Sequence, residues 1–293
     1  ISIALDNNTN RGNITRIFLN GFNMLLRSIN LLCILLITTP VYAHEFWISP
    51  KQYEVAVDEP ISANFRVGQS FSGSKQSFLK QRTTQHAFAR NGVVTALSGR
   101  NGDRPAMQIS GLPDGLVILL HETTNSTLKY KEYEKFESFV KHKAFDSVLE
   151  DHQARGLPDT GFRESYRRYA KSLIAVGNGA GNDLSIGHEI EIVALANPYT
   201  DDIAGGLPVL VLLAGKPRLN AQVELFARSM NDNQEVKVTL HRTNSMGIAL
   251  LPVENGYEYM VDHVALKAVE PKNSYDPVWH SLWANLTFYV PNQ

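Results

Sequence analysis

The chain has 293 residues, 28 of them basic and 29 acidic, for a net charge of −1. That balance, with no run of basic residues, excludes the electrostatic footprint of a nucleic-acid-binding protein. A hydrophobic content of 43% is that of a globular chain and not of a disordered one.

The first methionine is Met24. Residues 1–23 are polar and Asn-rich, and read as an upstream segment outside the natural product. Residues 24–43 read as a signal peptide: Arg27, an apolar run from Ile29 to Thr38, then Pro40-Val41-Tyr42-Ala43. The run is shorter than the roughly 20 residues a membrane-spanning helix needs. Cleavage after Ala43 makes His44 the first residue of an exported, periplasmic chain. The single cysteine, Cys33, falls inside the signal. The exported chain is therefore expected to have no disulfide, thiolate nucleophile or thiolate ligand.

Residues 44–128 read as a β-sandwich domain. Ile61 to Val67 alternates apolar and polar residues, the pattern of a strand with one buried face. Gln85 to Arg90 and Val93 to Leu97 flank Asn91-Gly92, a hairpin signal. Leu116 to Leu120 is a continuous apolar run of the kind buried on both faces. Residues 129–181 read as a helical insert and linker. Tyr130, Tyr133, Phe136 and Phe139 recur at helical steps, and Gly156-Leu157-Pro158 ends the pattern. The spacing of Phe162, Tyr166, Tyr169 and Leu173 predicts a second helix. Gly177 to Gly181 reads as a loop. Residues 182–293 read as a second β-sandwich domain, with alternating segments from Glu189 to Val290 and turn signals about every 8 to 12 residues. The expected fold is mainly β: two sandwich parts, Ig-like or transthyretin-like, with a helical insert between them.

Four segments carry a resemblance. They are His44-Glu45-Phe46-Trp47-Ile48-Ser49-Pro50, Tyr166 to Ile174, Glu191 to Tyr199, and Trp279 to Phe288. Together the chain resembles the NikM-like family of bacterial periplasmic proteins, the periplasmic components of cobalt/nickel uptake systems. The second β part, with its Gly215-Lys216-Pro217 turn, is similar to transthyretin-type sandwiches. The resemblance implies a metal ion as cargo and a membrane metal permease as partner.

The chemistry centres on His44. An N-terminal amine has a pKa near 8, so a metal displaces its proton near neutral pH. The Nδ1 of the same residue closes a chelate ring, and nitrogen ligands favour copper and nickel. A second histidine would complete the site. His121, at the end of a buried strand, His263, in mid-strand, and His280, at the start of the last strand, are the leading candidates. His86 shares a face with Phe88. His188 reads as a turn residue, His241 as wet, and His142 and His152 as solvated residues on polar helix faces. Zinc-protease, phosphate-loop and nucleophile-elbow motifs are absent. The expected function is periplasmic binding of nickel, cobalt or copper through His44. The alternatives are a copper oxidative enzyme built on a histidine brace and a metal-free interaction module.

Overall fold

Strand β3 (Ile61–Gln69) buries Ile61, Ala63 and Phe65 and leaves Ser62, Asn64 and Arg66 half-exposed. This is the period-two pattern of its sequence. It centres a small antiparallel sheet with β1 (Glu45–Pro50), β4 (Ser72–Gln76) and β7 (Met107–Ile109). A computed structural model describes residues 45–231 and 235–292. The upstream segment, the signal peptide, the cut and His44 lie outside the described residues.

The main sheet has ten strands. Its path is β15 (Lys237–Arg242), β14 (Gln222–Ser229), β17 (Tyr257–Ala268), β18 (Trp279–Val290), β10 (Arg163–Val176), β8 (Gly115–Thr123), β5 (Thr83–Arg90) and β6 (Val93–Ala96). Two short strands, β2 (Glu54–Val55) and β9 (Ser126–Lys129), also pair with β10. Strands from both expected β parts thus share one sheet, joined by the parallel pairing of β10 with β18. A third sheet contains β11 (Ile190–Ala194), β12 (Leu207–Leu213), β13 (Lys216–Pro217) and β16 (Ile248–Leu251).

Residue parity along β8 separates the layers. Leu116, Ile118 and Leu120 pack with Ile190, Ile192, Val209 and Val211 of the third sheet. Val117 and Leu119 point the other way and pack with Phe46, Ile48 and Phe65 of the small sheet. The ten-stranded sheet is therefore a middle layer, which is why its central strands β8 and β18 are buried on both faces. The small sheet shares its face with helices α1 (Tyr133–His142) and α2 (Val148–Ala154). Phe136 and Phe139 of α1 pack on Val264, Trp279 and Trp283 of the main sheet. The fold is mainly β, with a minor helical insert. Among the described residues no helix is long and apolar enough to cross a membrane.

The Asn91-Gly92 turn forms as its sequence predicts. Arg90 pairs with Val93, and the two turn residues have φ of 49° and 77°. A two-residue turn with both φ positive suits asparagine and glycine.

The second expected helix is instead the long strand β10. Its apolar residues mimic helical spacing because both faces meet other layers. Tyr169 and Leu173 join the cluster under the third sheet, and Ala170 and Ile174 join the one under the small sheet. Its charged residues are absorbed by partners: Glu164 accepts from Tyr130 Oη at 2.7 Å, and Arg167 pairs with Glu122 at 2.7 Å. A strand covered on both faces loses the alternation that would identify it.

Candidate functional site

Strand β1 enters the fold at the seam between the small sheet and the helices. Glu45, its first residue, is 3% exposed and accepts the Ser70 N–H at 3.3 Å. Burial, then the negative charge of Asp262, push its carboxyl up to about 8, against the pull of Lys143. Glu224 on β14 and Asp262 on β17 are direct cross-strand partners. Like charges so placed repel unless a cation bridges them. Lys143, which follows the last residue of α1, supplies that cation. Its Nζ lies 2.8 Å from Glu224 Oε1 and 3.0 Å from Asp262 Oδ2, and 5.1 Å from the centre of the Trp283 ring. Cations gather naturally at a helix C-terminus, where Lys141 and His142 precede Lys143.

The seam holds more carboxylates than ammonium groups. Burial opposes the charge on Glu224, but His142 and Lys143 together hold its pKa below the usual value. Asp262 is pushed up by burial despite Lys143. Glu224 Oε2 has the His142 imidazole 3.3 Å away and no well-formed hydrogen bond among the described residues. The His142 side chain is 35% exposed, so this corner of the seam opens to solvent.

On the other side of β1 is a cavity of about 120 Å³, lined by Phe46, Phe65, His121, Thr123, Tyr166 and Arg168 among others. His121 lies on Phe65 with ring centres 3.9 Å apart, and its ring is 5.5 Å from that of Phe46. Burial, then His86 and His188, lower its pKa to about 3, so the ring is neutral. Its Nδ1 has no hydrogen-bond partner among the described residues. His86 is its cross-strand partner, with ring centres 6.0 Å apart.

The sequence candidates divide between the two faces of the main sheet. His121 and His86 face the small sheet, on the side of β1. His263 has the parity of Val261 and Ala265 and faces the third sheet, with Nδ1 2.7 Å from Gln222 O. His280 has the parity of Leu282 and faces the same way, with Nδ1 2.7 Å from Ser165 Oγ. His263 pairs with Ala284, four residues along β18 from His280, so the two are about 13 Å apart at 3.3 Å per residue. His121, His263 and His280 are not brought together.

One of the two helical histidines, His152, corrects the reading of solvated residues, whereas the His142 side chain is 35% exposed. His152 is fully buried and accepts Trp279 Nε1–H at 3.0 Å. His142 stands beside Glu224. The signal for His142 was its place at the end of α1, next to a lysine, rather than its helix face. His188 is also buried, with Nε2 2.6 Å from Gln85 Oε1. Among the described residues no three His, Cys, Asp or Glu side chains are placed to hold a metal ion.

Glu164 lies in the same layer, bonded to Tyr130 and to Ser281, whose Oγ also accepts Trp283 Nε1–H at 2.9 Å. Burial raises its carboxyl to about 7, although Ser281 and Tyr130 both favour the ionised form. The folded state then holds this proton more tightly than the unfolded state. Its stabilising effect is complete below the unfolded pKa of 4.5 and is lost as pH rises through about 7. Glu164→Gln is expected to remove that decline. Urea midpoints at about pH 5 and 8 should then differ less in the variant than in the parent. An unchanged difference would exclude Glu164 as the cause.

A structure titled "Crystal structure of tetra-tandem repeat in extending region of large adhesion protein" matches at 11% identity and a TM-score of 0.18. The match covers 84% of this chain and 49% of that one, so this chain spans about half of its length. No curated protein matches the chain. A family model described as a domain of unknown function, DUF4198, matches residues 41–265, from the expected cleavage site through the small sheet, α1 and all three carboxyl groups of the seam. The chain belongs to the DUF4198 family.

Proposed function

We propose that this protein binds a divalent transition metal at the β1 seam, through His44 together with His142 and Glu224, as an exported periplasmic chain. The observation that carries this reading is the cluster of three buried carboxyl groups, Glu45, Glu224 and Asp262, about the one ammonium of Lys143, with Glu45 one residue from His44. Consecutive Cα atoms are about 3.8 Å apart, so the nitrogens of His44 are tethered beside Glu45. Glu45 itself lies within the field of Asp262, Lys143 and Glu224. Three nitrogens and one carboxylate oxygen form a donor set that favours Cu(II), then Ni(II), over harder ions. The resemblance to cobalt and nickel uptake components points to the same class of cargo. Binding and delivery need no turnover.

The residues fit this role in three ways. Glu224 Oε2 lacks a well-formed hydrogen bond, His142 is reachable from solvent, and a bound cation would offset the carboxylate excess. His121 is a poorer donor because the residue is 3% exposed and its ring packs against Phe65, tilted by 33°.

The test is titration with Cu(II) and Ni(II) of a chain beginning at His44, beside one that retains Ala43. Blocking the amine is expected to weaken binding by more than about tenfold, or 1.4 kcal/mol. His142→Ala should have a similar effect, and His121→Ala should have little. Equal affinity with and without Ala43 would remove His44 from the site. Loss confined to His121→Ala would move the site to the cavity.

A further inference from the structure

We propose that Lys171 and Asp183 are joined by an intramolecular amide bond, which the folded chain forms itself with Glu191 as the proton carrier. The three side chains are 2%, 0% and 1% exposed, with Lys171 on the face of β10 that carries Tyr169 and Leu173. Lysine is almost never fully buried without such partners. Lys171 Nζ is 2.7 Å from Asp183 Oδ1 and 3.3 Å from Glu191 Oε1. Amine and carboxyl are thus held in contact by β10 and by the loop that follows it. Intramolecular placement of this kind is worth an effective concentration of about 10⁵ M or more.

The surroundings suit condensation. Asp183 Oδ2 accepts the Ala194 N–H and Oδ1 accepts the Leu184 N–H, each at 2.8 Å. These fixed donors meet the negative charge that builds on the carboxyl oxygens when the carbon becomes tetrahedral. Glu191 is held in place by Ile186 N–H at 2.9 Å, Gly187 N–H at 3.3 Å and Ser185 Oγ at 2.9 Å. Burial raises Asp183, against the pull of Lys171, toward the un-ionised form that reacts.

The step balances without a co-reactant. Glu191 takes a proton from the Lys171 ammonium. The freed amine attacks Asp183 Cγ, forming the C–N bond. Glu191 gives its proton to the departing acid hydroxyl, the C–O bond breaks and one water leaves, and Glu191 takes up the second proton that the new amide nitrogen sheds. The buried ammonium of Lys171 and the carboxylate of Glu191 are both neutralised, which removes the cost of desolvating two charges. Lys143 has a similar pair of carboxylates but not this setting. Asp262 has no backbone N–H donor among the described residues, and its side-chain partner Asn285 is at 3.5 Å.

The bond would close the loop between the main and third sheets. It would act as a covalent staple in a chain whose one cysteine allows no internal disulfide.

The test is the denatured intact mass of the purified full chain, with peptide mapping across residues 163–194. The expected result is a mass one water below that of the sequence, with Lys171 and Asp183 in one branched peptide. Asp183→Asn should lose one ammonia instead, because the acyl carbon then carries an amide. Lys171→Arg should keep its full mass. Full mass in the parent chain, with the two residues in separate peptides, would overturn the proposal and leave an ion pair only. This parent measurement decides the matter even if a variant fails to fold. Water loss persisting in Glu191→Gln would overturn the role of Glu191.

Discussion

Replacing Lys143 with methionine is expected to cost about 3–5 kcal/mol, the usual penalty for removing one partner of a buried ion pair. That is a large share of the 5–15 kcal/mol that typically holds a domain together. Glu224 and Asp262 are direct cross-strand partners, and Lys143 is the ammonium between them. Burial alone would lower the pKa of Lys143, but Asp262 and Glu224 together hold it above the usual lysine value. Without it, two carboxylates remain in contact under Trp283, with Glu45 nearby. The loss should grow as pH rises, because the carboxylates can escape the penalty only by taking protons. Denaturant midpoints at neutral pH measure the effect. The triple variant Lys143→Met, Glu224→Gln, Asp262→Asn should recover most of the loss, since it removes all three charges together. A Lys143→Met variant within about 1 kcal/mol of the parent, the scale of an exposed ion pair, would show that water screens this cluster.

The strands with one wet face were legible because alternation survives there. β3 and the Asn91-Gly92 hairpin formed where the sequence placed them. The run Leu116–Leu120 was legible as buried, but its periodicity left a strand and a short buried helix both open, and the structure makes it part of β8. β10 was not legible. It is long, charged at one end and covered on both faces, so its apolar residues fall at three- and four-residue steps by coincidence of layers. A single sequence also carries no signal for which strands share a sheet. The pairing of β10 with β18 spans more than a hundred residues of chain. The candidate site was legible in part. Adjacent strand residues face opposite sides, which places Asp262 and His263 on different faces of β17. Deciding which of those sides faces β1 required the layer order. His142 was missed because helix-face reasoning treats the last residue of a helix as solvent-facing, whereas Gln222 Nε2 binds its carbonyl at 2.7 Å and Glu224 lies beside its ring.

His121→Phe is expected to exchange a pH-sensitive core position for an insensitive one. Phenylalanine suits a place already between Phe46 and Phe65. Near neutral pH the parent ring is uncharged, so the two proteins should differ only by packing, within about 1–3 kcal/mol. The pKa of His121 falls from 6.5 in the unfolded chain to about 3 in the fold. Between those values the unfolded state binds a proton that the folded state refuses. Stability therefore falls as pH falls, by about 1.4 kcal/mol per pH unit for this one group. From about pH 7 down to pH 4 the variant should gain roughly 3 kcal/mol relative to the parent. His263 and His188, lowered by burial to about 3 and about 4, act in the same direction. Glu45 and Glu164, raised to about 8 and about 7, act in the opposite one. His263, Glu45 and Glu164 are not among the groups that set the His121 pKa, so the paired comparison separates His121 from a pH profile that would otherwise mix opposing titrations. Urea midpoints of both proteins across this range give the difference directly. Parallel curves would mean that the parent ring accepts its proton in the folded state, which requires water to reach it from the cavity.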